Sequence, residues 1–373
     1  MASSSCGRKD PIVIASLVPF LLILLVSSSA AASASAKKKV PFRAGDERDA
    51  YRRIMARMAR MEKDCNKTIQ SPDGDIIHCV PSHRQPAFDH PKLRGQMPEE
   101  EPVERPRFVN GGAGAGQEEE DQEGVLFRQA WSDGGERCPE GTVPVRRTTA
   151  RDVLRASSPR RFGMKPRASN VRRDSTSSGH EVSPELYGDS NPRFFTYWTT
   201  DAYQETGCYN LHCSGFVQTN NRIAIGAAIS PTSVYNGRQF DISLLIWKDP
   251  HRGNWWLQLG SGPLVGYWPS FLFTHLGGHA NMVQFGGEVV NTRPSGSHTP
   301  TQMGSGHFPR EGSNRAAYFR NVQVVDGDNS LVPAAALRLV ADHPGCYDIR
   351  GGYNRAWGNY FYYGGPGRNV HCP

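Results

Sequence analysis

From Pro184 onward, apolar and polar residues alternate in short runs punctuated by Gly, Asn and Pro. A period of two bounded by turn residues predicts strands, and many of them together predict an all-β domain. The runs "NNRIAIGAAIS", "QFDISLLIWKD", "NWWLQLG", "AAYFRNVQVVD" and "NYFYYGG" are the strand candidates. Asn236-Gly237, between two of them, is a hairpin signal. "QFGGEVVN", residues 284–291, reads as a further half-buried strand. It would set Gln284, Gly286 and Glu288 on one face, with open floor beside the Glu288 carboxylate. Antiparallel strands in this number must close into a sandwich or barrel to protect their edges, and two stacked antiparallel sheets are expected.

The N-terminal half has another texture. "DERDAYRRIMARMARMEKD" places Tyr51, Ile54, Met55, Met58 and Met61 at helical spacing, with Asp46 as a candidate N-cap. Its methionine stripe suits a packing surface. "QSPDGDIIHCV" combines a turn and a strand, and the prolines of "QPAFDHP" favour extended chain. "NGGAGAGQEEEDQEG" is an acidic linker whose glycines lack the Lys-Ser/Thr of a phosphate loop.

At the chain start, Arg8 and Lys9 precede an apolar run from Ile12 to Val26 and then "SSSAAASASA". Residues 1–36 therefore read as a cleaved signal peptide, too short in its apolar part for a membrane anchor. Secretion permits disulfides. Without Cys6, seven cysteines remain, an odd number that leaves one thiol over. Spacing favours Cys208–Cys213 and Cys346–Cys372, with Cys65, Cys79 and Cys138 competing for a third bridge. Asn66-Lys67-Thr68 is a glycosylation sequon, which calls for an exposed Asn66.

A net charge of +7 would suit an acidic partner, but its distribution argues against nucleic acid. Residues 146–173 carry ten Arg or Lys against Asp152 alone, while residues 99–123 carry nine acids against Arg105 and Arg107. Neither block interleaves aromatics with its charges. No Cys-x-x-Cys pair, second zinc-peptidase His or Gly-x-Ser-x-Gly elbow is present, so no metal or other cofactor is expected.

Several long stretches resemble the neprosin family: "SPDGDIIHCV", "QPAFDHP", "CPEGTVPVRR", "VSPELYGD", "FFTYWTTDAYQETGCYN", "ISLLIWKDP", "GYWPSFLF", "GGEVVN", "TQMGSGHFP" and "YYGGPGRN". The resemblance covers most of residues 46–149 and nearly all of 182–373. It implies a secreted glutamic endopeptidase cutting at proline, made as a zymogen with an N-terminal activation peptide. The implied fold is a two-sheet antiparallel β-sandwich with a cleft across a concave face. Residues 37–149 would be the activation peptide and 182–373 the catalytic-type domain, after a small α+β activation region. The implied partners are a proline-containing peptide or protein substrate and the chain's own activation peptide, with no membrane contact after signal cleavage. The implied location is extracellular, in the wall, or vacuolar.

By the same resemblance Glu288 matches one of two catalytic glutamates. From its residues alone, a Glu in a strand is more often a paired or surface acid. Two adjacent carboxyls would share the work, one ionised to activate water and one protonated to act as acid. Trp198, Trp255, Trp256 and Trp268 are available to pack on a proline ring, although core positions are the commoner role for such residues. Where the family carries strands ending in its first catalytic Glu, residues 150–181 instead read as a basic, Ser-rich linker. Ungapped alignment back from Val182 puts Ser177 at the position of the missing Glu. Glu181 could substitute only with a register shift of four residues. Either the chain is a noncatalytic relative or the sequence reflects an incorrectly spliced gene. The alternative from another class is an extracellular β-sandwich that binds carbohydrate or cell wall through its aromatic face.

Overall fold

A computed structural model describes residues 45–108, 128–165, 175–201, 203–260, 262–291, 293 and 296–373. The segment read as a signal peptide and the segment read as an acidic glycine linker lie outside the described residues. In chain order the first half contributes α1 (Asp46–Asp64), β1 (Lys67–Gln70), β2 (Ile76–Pro81), β3 (Arg107–Phe108), β4 (Thr142–Arg146), α2 (Ala150–Arg155) and β5 (Ser175–Glu181). Then follow α3 (Pro184–Tyr187), β6 (Arg193–Thr199), β7 (Cys208–Tyr209), β8 (Val217–Gln218), β9 (Leu244–Lys248), β10 (Trp255–Leu259) and β11 (Leu264–Trp268). The chain closes with β12 (Ala317–Phe319), β13 (Gln323–Val325), β14 (Ser330–Pro333), β15 (Asp348–Asn354) and β16 (Gly358–Gly364).

The C-terminal domain is all-β. Across the described chain, strands group as β1-β2-β4, β8-β11-β10-β9, β12-β16-β15, β13-β14-β3 and β5-β6-β7. All pairings are antiparallel except β14 with β3, which joins a strand of the N-terminal half to the C-terminal domain. The runs at 244–248, 255–259, 317–325 and 358–364 form strands as their alternation predicts. "NNRIAIGAAIS" does not, and makes only isolated bridges through Ile225, Ala228 and Ile229. Its residues Ile223, Ala224, Ile225, Ala227 and Ala228 are buried all the same, so alternation was replaced by burial on both sides. Asn236-Gly237 does turn the chain, with Val234 N–H bonding to Arg238 O at 3.0 Å, but no strands flank it.

One core spans both halves. Met61 of α1, Val80 of β2, and Val143 and Val145 of β4 pack with Phe194, Trp198, Phe216, Leu257, Val265 and Trp268. The stripe on α1 is thus packing surface: Met58 reaches this core and Tyr51 and Ile54 reach a neighbouring cluster with Val153 and Tyr187. The N-cap is Gly45, one residue before the predicted Asp46. "QPAFDHP" is not extended. It forms a turn of 3₁₀-helix over Pro86–Asp89, whose Ala87 and Phe88 are buried against Trp247, Trp256 and Tyr267. Buried Gln85 fixes it by donating to Gln218 O at 2.8 Å and accepting from Gln218 N–H at 2.7 Å.

The linker expected over 150–181 is corrected by the structure. Thr149 and Asp152 form a reciprocal capping box that starts α2, and residues 175–181 pair in register with all of β6. Low alternation did not prevent this, because backbone ladder bonds to a well-packed neighbour require no side-chain pattern. Disulfides join Cys79–Cys138, Cys208–Cys213 and Cys346–Cys372. Every described cysteine, Cys65 included, is disulfide-bonded, so the expected leftover thiol is not found among the described residues. Asn66 is exposed.

A buried charge network ties the halves together. Arg193, fully buried at the start of β6, pairs with Asp75 and, at 2.6 Å, with Asp189, and donates to Gly226 O at 2.8 Å. Arg146 reaches the other Asp75 oxygen at 2.8 Å. Removing one partner of such a set strands the others without compensation. Arg193→Met is therefore expected to cost about 3–5 kcal/mol in urea unfolding. Adding Asp75→Asn to it should cost less than the sum of the two single changes.

Candidate active site

β5, β6 and β7 build the floor. Paired residues share a face in an antiparallel ladder, so Ser177 lies opposite Tyr197, which itself pairs with Tyr209. Gly207 makes the close approach of β7 possible: its φ is +87°, and a Cβ there would sit 1.7 Å from the Trp198 carbonyl oxygen. Beyond β6 the chain turns around Asp201, whose carboxylate accepts from Thr199 Oγ1 at 3.1 Å, Gln204 N–H at 3.1 Å and Glu205 N–H at 2.9 Å. That turn holds Tyr203 at φ +68°, a strained position for a bulky residue. Tyr203 then stands beside Tyr197, ring centroids 5.5 Å apart.

Glu288 does not lie in a strand. Residues 284–291 have no regular structure, and the Glu288 side chain is 66% exposed. Two glycines in "QFGGEVVN" displace the ladder for different reasons. A Cβ on Gly287 would meet Met303 Cγ at 2.7 Å and the Tyr363 ring at 2.8 Å, so glycine lets this segment lie flat on β16. Gly286 has open space where a side chain would be, as the strand reading expected, but a loop provides it.

The Glu288 carboxylate is met by Lys165, whose Nζ lies 2.8 Å from Oε2. The Lys165 side chain is 11% exposed, and its ammonium stands over three ring faces, those of Tyr197 at 5.2 Å, Tyr203 at 5.3 Å and Tyr209 at 5.9 Å. Its backbone is fixed as well: its N–H donates to Tyr197 Oη at 3.3 Å, and Arg161 donates to its carbonyl at 2.5 Å.

Glu181 ends β5 and belongs to the same cluster. Tyr187 Oη donates to its Oε1 at 2.7 Å, and Asn210 Nδ2 donates to that Oη at 2.8 Å. Burial pushes the Glu181 carboxyl up to about 7, against the hydrogen bonds from Tyr187 and Tyr209 and the Lys165 charge, with the Glu288 charge adding to the rise. Tyr197 is raised to about 12, chiefly by burial, and Tyr209 is raised by burial and by the charges of Glu181 and Glu288. Tyr197 and Tyr209 are thus neutral where Glu181 titrates.

Of the residues singled out from sequence, the structure brings Glu181 and Glu288 into one electrostatic cluster and puts Ser177 on the same floor. Trp198, Trp256 and Trp268 are core residues. Lys165 and the four tyrosines escaped sequence reading. Lys165 is one of ten basic residues in 146–173 and has nothing local to set it apart, and only "TYWTTDAY", with tyrosines spaced along a strand and its turn, hints at a ring-lined surface. His298 lies near the Cys346 and Cys372 sulfurs, but both are spent in their disulfide and offer no thiolate to a metal.

Comparison with protein-family models gives two matches: one described as Neprosin over residues 158–366, and one described as Neprosin activation peptide over residues 68–183.

The raised Glu181 value has a consequence for stability. A carboxyl ordinarily near 4.5 that titrates near 7 in the folded state favours folding below 4.5 and loses that contribution as pH climbs through 7. The contribution is at most about 3 kcal/mol. Urea midpoints measured from pH 4.5 to 7.5 should fall with rising pH more steeply in the parent protein than in Glu181→Gln.

Proposed function

Because this chain belongs to the neprosin family and carries its activation-peptide domain, we propose that it is the zymogen of a secreted glutamic endopeptidase that cuts at proline, with Glu288 and Glu181 as its carboxyl pair. The observation carrying this reading is that Glu181, four residues beyond the position expected for the first acid, shares one charge cluster with Glu288. No register shift is needed. Ser177 keeps its place on the β5 face, and Glu181, two pleats further along that face, reaches the cluster from the strand end.

In this mechanism Glu288 is the ionised member. Water attacks the scissile carbonyl carbon while its proton passes to Glu288. Glu181, protonated below about pH 7, hydrogen-bonds the developing oxyanion and then delivers its proton to the leaving nitrogen. The C–N bond breaks to an acid and an amine, and the proton held by Glu288 restores Glu181. Lys165 must leave Glu288 before water can approach it, which fits a precursor held inactive by its N-terminal portion. Exposed Asn66 suits glycan attachment on a secreted chain. No described helix is long and apolar enough to cross a membrane.

A second reading, a noncatalytic extracellular binding protein, is favoured by Ser177 at the family's acid position and by the ion pair that neutralises Glu288. The two separate on one assay. Processed protein incubated at acidic pH with a proline-containing peptide should cut it, and both Glu288→Gln and Glu181→Gln should reduce the rate at least about 100-fold. A folded protein that leaves the peptide intact supports the binding reading, and full activity in Glu181→Gln removes Glu181 from the pair.

A further inference from the structure

The surroundings of Lys165 amount to more than a salt bridge. Three tyrosine faces within 5.9 Å of one ammonium, closed by a carboxylate at 2.8 Å, make the arrangement by which proteins recognise alkylammonium groups. The walls and the occupant come from different parts of the chain. Tyr197 and Tyr209 stand on adjacent strands, Tyr203 is fixed by the Asp201 turn, and Glu288 comes from the loop lying on β16. The occupant comes from the segment after α2, where Arg161 donates to the Lys165 and Tyr203 carbonyls, Lys165 N–H donates to Tyr197 Oη, and the Gly163 carbonyl accepts from Tyr209 N–H at 2.7 Å. The rim is open as well, since Glu288 is 66% exposed while Lys165 is nearly buried.

We propose that Tyr197, Tyr203, Tyr209 and Glu288 form a binding site for a lysine side chain of a peptide, which Lys165 fills in cis in the precursor. The rings supply their negative faces to the ammonium and to the methylenes beside it, and the carboxylate supplies the counter-charge. The site rests on the binding reading above, because an ammonium held on Glu288 keeps water from that carboxylate as Lys165 does: once Lys165 has moved away, a lysine of a bound peptide would take its place. An ammonium is the fitting ligand rather than a proline ring, because the Glu288 carboxylate and the tyrosine faces both attract a cation and offer a neutral ring no counter-charge to match.

Binding can be read without turnover, so a catalytically dead protein still tests the site. In full-length Lys165→Gly, n-butylammonium replaces the deleted side chain, and 1-butanol is its neutral match. Millimolar n-butylammonium should raise the melting temperature of this variant and leave the parent unchanged, whereas 1-butanol should raise neither. Adding Glu288→Gln should weaken n-butylammonium binding about tenfold or more. Equal responses to the two solutes, or no response in a folded variant, would overturn the proposal.

Should Lys165→Gly not fold, Lys165→Ala takes its place. The parent protein supplies an independent measurement when labelled with ¹³Cε-lysine. One ε-methylene resonance should lie upfield under the tyrosine ring currents and return toward the other lysines in Tyr203→Ala. If no parent lysine is shifted, the cage is not formed and the proposal fails.

Discussion

Everything around the site hangs on one buried guanidinium. Arg193 opens β6 with no exposure to water and is surrounded by Asp75, Asp189 and the Gly226 carbonyl. A charge in that position is tolerable only when its partners are present. Asp75 comes from the N-terminal half, so the network ties the start of β6 to that half. The same guanidinium lies 4.8 Å from the Tyr187 ring centroid, and Arg146 lies 5.2 Å from it. Tyr187 in turn donates to Glu181. A chain of contacts therefore leads from the structural ion network to the carboxyl of the candidate site.

That chain gives the two glutamates different environments. Glu181 is enclosed, hydrogen-bonded to a tyrosine and shifted toward its neutral form, whereas Glu288 sits on an open loop and faces an ammonium. A carboxyl held toward its neutral form beside a second carboxylate is an arrangement that acid–base division of labour uses. Lys165 adds a positive charge to both environments. It meets the exposed carboxylate directly and acts on the enclosed one through its field.

The N-terminal half is part of the folded core as well as a covering for the site. Val80, Val143, Val145 and Met61 share a cluster with Trp268 and Leu257, and β3 extends a sheet of the C-terminal domain. Residues 86–88 cover Trp256 and Trp247, which would otherwise face water. Losing this half would expose large aromatic surface, so its separation has to be coupled to a change in what covers those rings.

Local pattern determined a good deal. The amphipathic helix over 46–64, the all-β character after residue 184, the strands at 244–248 and 255–259, and the short-range Cys208–Cys213 bridge follow from periodicity and spacing, which act between near neighbours. The candidacy of Glu288 and of Glu181 could also be named from the chain, both through resemblance. Tertiary structure alone decided what those residues meet. Lys165 and Glu288 are 123 positions apart, and Arg193 and Asp75 are 118 apart. No local signal distinguishes a lysine that will enter a tyrosine cage from its solvated neighbours. The strand at 175–181 and the loop at 284–291 reversed their expected forms for a like reason: a polar run found a packed strand to pair with, and a glycine pair found Tyr363 and Met303 to lie against. Sequence periodicity reports how a segment would bury itself, while the partner that buries it is chosen by the rest of the fold.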